Sequence, residues 1–259
     1  MPWDPDFINR NPILGQLRPL LSPMPWRQWP SVSQLARFRE GDIPVTFIDD
    51  SAFMAMDHYY EEAVALGQVP TREHNWHDFF GAVIWWQFPR TKALLNRQHM
   101  DDIQRVGLRP RTPRRDRLTH FDECGLVLVA PDKQELETLL REHDWHALFI
   151  ERRSRWQRDW LPFIFGHALY EQALAPFIGL TGKCLVLQAE AAFYRLSPLA
   201  QYQWLDQALA ATIGNLDMFS RPRPLLPLPL LGVPGWWPAN EEPGFYGNTD
   251  YFRPKRNRI

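Results

Sequence analysis

Residues 75–88 read NWHDFFGAVIWWQF, a helix-length run that is apolar almost all the way round. A helix of that kind must be buried on most of its sides, so the fold has to build a core around it and not merely beneath one face. Asn75 reads as its N-cap, and Asp78, three residues on, can reach back in a variant of the capping box. The helix is predicted over 76–88. Pro89 breaks it and suits the first position of a second helix over 90–106. The chain can supply such a core. Of 259 residues 45% are hydrophobic, and twelve Trp and sixteen Phe bring side chains that each bury a large area.

The two ends differ from the middle. Pro2, Pro5, Pro12, Pro19, Pro23, Pro25 and Pro30 exclude long helices from residues 1–44, apart from one over 31–39. This stretch reads as an extended arm wrapping the core and anchored by Trp26 and Trp29. From Arg221 onward the sequence is too proline-rich for helix or sheet interior and too apolar to float free. It reads as polyproline-like backbone laid across the body, with Trp236, Trp237, Phe245, Tyr246 and Phe252 as anchors.

Between the arms, residues 45–220 carry alternating signals. A short strand is predicted over 44–48, and a helix over 57–66 that Gly67 ends. A basic loop follows over 107–117. Residues 118–121 and 126–130 flank Asp122-Glu123-Cys124-Gly125 and read as a β-hairpin. A helix from Pro131 to residue 142, a strand over 160–165, a helix over 167–174 and a strand over 184–188 come next. Ser197-Pro198 caps a helix running to residue 213. No Gly/Ser linker divides the chain. The expectation is a single α+β domain over 1–259, with a small, mainly antiparallel sheet, several helices and long arms at both ends.

Formal net charge is −1, so no global field steers partners. Arginines cluster over 90–117 and again at Arg152, Arg153, Arg155 and Arg158. Two cysteines, Cys124 and Cys184, are too few for a disulfide framework. The start lacks a basic segment followed by an apolar one, and no apolar run is long enough to span a bilayer. The expectation is a cytoplasmic protein with no membrane partner. Phosphate-binding P-loop, dinucleotide, G-x-S-x-G and H-E-x-x-H patterns are absent, which disfavours the chemistries they carry.

Four polar groups are candidates for chemistry. His77, at the second helical position, lies beside free backbone N–H groups that disfavour its protonated form. A neutral imidazole can accept a proton or bind a metal, or simply be a satisfied core histidine. Lys92, Asn96 and His99 fall at i, i+4 and i+7 on one helix face, near Arg90 at the helix start. Together they could bind an anion or polarise a substrate oxygen, or form a solvated face. His167 and Glu171, at i and i+4, have a spacing that can place two ligands on one divalent metal, and equally that of a hydrogen-bonded pair. Asp122 and Glu123 could complete a carboxylate-rich site, or serve only the turn.

The combination of NWHDFF (75–80), FPRTK (88–92), LNRQH (95–99), RDRLTHFDECG (115–125), FGHALYE (165–171) and LLGVPGWWPANE (230–241) resembles an uncharacterised bacterial family, domain-of-unknown-function family 3025. The resemblance implies a single-domain cytoplasmic bacterial protein. It implies no reaction, cofactor or catalytic residue.

Three functional readings follow from the residues. One is a hydrolase-like enzyme acting on a small anionic substrate, metal-assisted or not. Its site would gather His77, Lys92, Asn96, His99, Asp122, Glu123, His167 and Glu171. Another is a non-catalytic module that binds a protein or nucleic acid through the arginine-rich loops. In the last, the polar groups only cross-link the aromatic core.

Overall fold

The computed structural model describes residues 1–39 and 41–255. Its principal elements are α1 (Val32–Phe38), β1 (Thr46–Asp49), α2 (Tyr60–Ala65), β2 (Gln68–Thr71), α3 (Trp76–Gln87), α4 (Pro89–Val106), α5 (Pro113–Cys124), β3 (Gly125–Ala130), α6 (Lys133–Glu142), β4 (Leu161–Ile164), α7 (His167–Ala173), β5 (Thr181–Gln188), α8 (Pro198–Leu216) and β6 (Leu226–Pro229). The fold is α+β, and nearly all its buried apolar side chains form one cluster.

The larger sheet has the order β4-β3-β5-β6. Its two outer pairings are antiparallel and its central one, β3 with β5, is parallel. Every residue of β3 is buried, as its unbroken apolar sequence requires of a strand covered on both faces. Pro162 in β4 and Pro227 and Pro229 in β6 sit on edge strands, where a missing N–H breaks no ladder. A separate parallel pair, β1 with β2, flanks α2.

Helix α3 is surrounded as its sequence demands, with Phe80, Val83 and Ile84 fully buried. The N-terminal arm does much of this, and it is not extended as expected. It folds into short turns at Phe7–Asn9, Pro12–Gly15 and Arg18–Leu21. Pro12 and Pro19 occupy first-turn positions of these, where no N–H is needed. Trp3 stacks on Trp76 at 4.9 Å, and Trp26 is buried. The C-terminal arm also departs from polyproline geometry. After β6 it winds through 3₁₀ turns whose polar groups bond inward. Buried Asn240 donates to the carbonyls of Leu231 and Val233, and Tyr251 donates to Leu180.

The predicted hairpin over 118–130 is a helix followed by a strand. Thr112 caps α5 by accepting from the Arg115 N–H, and Pro113 takes its first turn. Arg115, Leu118 and Phe121 are all buried, three residues apart, so the period is that of one helix face and not of a pleat. Asp122 and Glu123 therefore lie in the last turn of α5 and not in a β-turn.

Candidate active site

One face each of α2, α3, α4 and α5, the end of β2 and the first residue of α7 enclose a cavity of about 310 Å³. Helix periodicity selects the lining. His77, Gly81 and Trp85 recur every fourth residue on α3, Lys92, Asn96 and His99 share a face of α4, and Thr119, Asp122 and Glu123 share one of α5. Gly81 in the middle of α3 lacks an obvious packing reason, since a Cβ there would meet nothing within 4 Å. Its bare backbone is part of the cavity wall.

Helix α7 delivers His167 and Glu171. Phe165 and Gly166 both donate to the Gly125 carbonyl, at 3.0 and 2.8 Å, which ties the start of α7 to the end of α5. Asp122 and His167 are brought together by that junction. The Asp122 carboxylate accepts two bonds from Lys92 Nζ, at 2.6 and 2.8 Å. Burial pushes its pKa up, but Lys92 and His167 outweigh that and hold the group below its ordinary value.

Glu171, His77 and His167 form a chain. His77 Nδ1 lies 2.9 Å from Glu171 Oε2, and His77 Nε2 lies 2.9 Å from His167 Nε2. Two lone pairs, or two hydrogens, would repel at that separation, so the Nε2···Nε2 axis holds one proton. The chain can carry a proton between the two rings, with the Glu171 carboxylate at its end. Burial pushes His167 down to about 4 against the opposing pull of Asp122. Its Nδ1 points toward the Asp122 carbonyl without a well-formed hydrogen bond.

His99 is the other buried imidazole, 9% exposed. Its Nδ1 has no hydrogen-bond partner and lies 3.9 Å from Glu61 Oε1, and the residue lines the cavity. Glu61 is itself held by the buried Arg115 guanidinium at 2.9 Å. Burial lowers His99 to about 4, against Glu61 and Asp122, so it is a neutral base near neutral pH.

Residues 45–256 match the family described as Protein of unknown function (DUF3025). The chain belongs to that family. No curated protein and no solved structure matches it. Within this DUF3025 chain, seven of the candidate residues (His77, Lys92, Asn96, His99, Asp122, Glu123 and His167) line one cavity, and the eighth, Glu171, bonds to His77.

Several expected roles change. Lys92 and Asn96 do not present a free row of donors to an anion. Lys92 is engaged by Asp122, and Asn96 donates to the Glu61 carbonyl at 3.0 Å. The free N–H groups at the start of α4, near Arg90, are capped by buried Asp206 at 2.8 and 3.0 Å. Asp78 does not complete a capping box. Asn75 caps α3 alone, and Asp78 accepts instead from the backbone and guanidinium of Arg72. His167 and Glu171 do share a partner, but it is the His77 ring lying between them, not a pair of vacant ligand positions. Among the described residues no group of three or more His, Cys, Asp and Glu side chains is arranged to hold a metal. No helix among them is long and apolar enough to cross a membrane.

Glu61, Arg72 and Arg115 were not among the candidates. Glu61 shares a cavity-facing side of α2 with Tyr60 and Val64, a spacing visible in sequence once the helix is known. Its pairing with Arg115, 54 residues away, leaves no local signal.

Proposed function

We propose that the chain is a general acid–base enzyme of hydrolytic type, working on a small molecule in this cavity. The observation that carries it is His99, a buried neutral imidazole lining a cavity that is also lined by His77 and His167 of the linked Glu171–His77–His167 chain. His99 takes a proton from water, with Glu61 facing Nδ1 to offset the charge that develops on the ring. The histidine chain returns a proton to the leaving group. The cavity volume suits a small ligand.

The reading as an arginine-based binding surface has less support. Arg114 pairs with Asp102 and Asp217, Arg115 with Glu61, Arg152 and Arg155 with Glu135, and Arg153 with Glu241. These arginines are engaged within the protein.

The test is turnover of a panel of small esters, amides and phosphoesters. His99→Ala should lower any hydrolysis found by roughly 10²- to 10⁴-fold, and Glu171→Gln should lower it less while shifting its pH profile. A panel left wholly unhydrolysed, or hydrolysis indifferent to His99→Ala, refutes the proposal.

A further inference from the structure

The cavity's charges do not cancel. Arg72 is bound by Asp78, Lys92 by Asp122, and Arg115, behind the wall, by Glu61. Each cation that could meet an incoming anion is already engaged by a carboxylate. Glu123, on the same cavity wall, has no ion-pair partner within 4 Å among the described residues. Its side chain projects from the last turn of α5, one residue beyond Asp122. Carbonyl ends dominate a helix C-terminus and make it the negative pole, so nothing local in the backbone offsets the carboxylate.

His99 supplies the independent pointer to a ligand. It is 9% exposed, its Nδ1 is buried without a hydrogen-bond partner, and the ring faces the cavity. Glu61 Oε1, 3.9 Å from Nδ1, favours the tautomer with its hydrogen there, which leaves a lone pair at Nε2. The cavity thus offers acceptors from two walls, the Glu123 carboxylate from α5 and His99 Nε2 from α4. Neither acceptor receives a hydrogen bond among the described residues, so both are open to a donor from a ligand.

We infer that the cavity binds a positively charged hydrogen-bond donor, an alkylammonium or guanidinium group, between Glu123 and His99. This inference shares only the cavity with the acid–base reading: a cation on His99 Nε2 occupies the lone pair that would take a proton from water, so it is a ligand that blocks that step, and its charge is opposite in sign to the one that the row Lys92, Asn96, His99 suggests in sequence. An ammonium or guanidinium group carries several N–H donors and no acceptor. It can donate to Glu123 and to His99 Nε2 together. A carboxylate or phosphate would meet two acceptors and have to displace Asp122 from Lys92 to find a cation.

The experiment is titration of the full chain with butylammonium, methylguanidinium and, as the opposite charge, butyrate, at matched ionic strength, following histidine ring signals by NMR. Butylammonium or methylguanidinium should bind saturably and shift the His99 signals, and butyrate should not. Glu123→Gln, isosteric and at an accessible position, should weaken the cation by about tenfold or more, with the circular dichroism spectrum unchanged. His99→Gln should weaken it too, keeping an acceptor but losing its placement. Saturable binding of butyrate in place of the cations, binding of neither charge, or cation binding indifferent to Glu123→Gln would each overturn the inference. Because the readout is binding, it fails or stands apart from hydrolysis. Turnover that requires His99 without cation binding would leave the acid–base proposal intact and remove this one alone.

Discussion

Gly166 packs its backbone directly against that of Glu123. A Cβ built on Gly166 would lie 2.3 Å from the Glu123 carbonyl oxygen and 2.5 Å from the Gly125 nitrogen. The backbone angles of Gly166 are ordinary, φ −71° and ψ 116°, so glycine is required here for closeness and not for an unusual conformation. The contact sets the start of α7 on the end of α5, and with it His167 beside Asp122.

Gly166→Ala should therefore separate these two elements. Backbone cannot yield as a flexible side chain does, so a loss of about 1–3 kcal/mol or more is expected. Urea unfolding measures it. The His77–His167 contact should be lost in parallel, seen as a change in the two ring signals by NMR. An alanine variant of unchanged stability and unchanged ring signals contradicts the packing described.

Stability should fall on mild acidification. His99 and His167 are lowered from an ordinary value of 6.5 to about 4. Between those values the unfolded chain binds the protons and the folded chain does not. The contribution is therefore fully present above about pH 6.5 and lost as pH falls toward about 4. Each imidazole accounts for up to about 3 kcal/mol, an order-of-magnitude figure. Asp122, also lowered, adds a loss at still lower pH. Urea midpoints at about pH 7.5 and about pH 5 measure the effect, and His167→Gln should flatten the slope between them. A pH-independent midpoint over that range would contradict it.

The Lys92–Asp122 pair should behave as a buried ion pair. Lys92 is 8% and Asp122 26% exposed at the side chain. Lys92→Met leaves the carboxylate without its partner and should cost about 3 kcal/mol. Adding Asp122→Asn to Lys92→Met should recover part of that loss, because the uncompensated charge is gone. A double-mutant cycle by chemical denaturation gives the coupling, and strict additivity would show that the pair contributes nothing as a pair.

Much of the local structure was legible in sequence. Asn75, Pro89, Gly67 and Ser197-Pro198 each mark a boundary through a mechanism that acts within a few residues: capping, a missing N–H or a left-handed end. The helix faces followed from periodicity, which is why Lys92, Asn96 and His99 share a side. Where the structure differs from the sequence reading, a second local cue decides the outcome. Residues 118–121 could pass for a short strand until Thr112 and Pro113 are recognised as a helix start. The N-terminal prolines excluded long helices but not the single turns that bury Phe7, Ile13 and Leu14.

The sequence by itself determined that this chain must build a large aromatic core around one apolar helix, and which polar residues would stand at the edges of that core. The folded arrangement alone decided what those residues meet. His77 lies 94 residues from Glu171 and 90 from His167, and Lys92 lies 30 from Asp122. Partnerships over such separations depend on how helices pack and on which backbones approach closely, as at Gly166. Neither propensity nor spacing encodes them, because both act only over a few turns of chain.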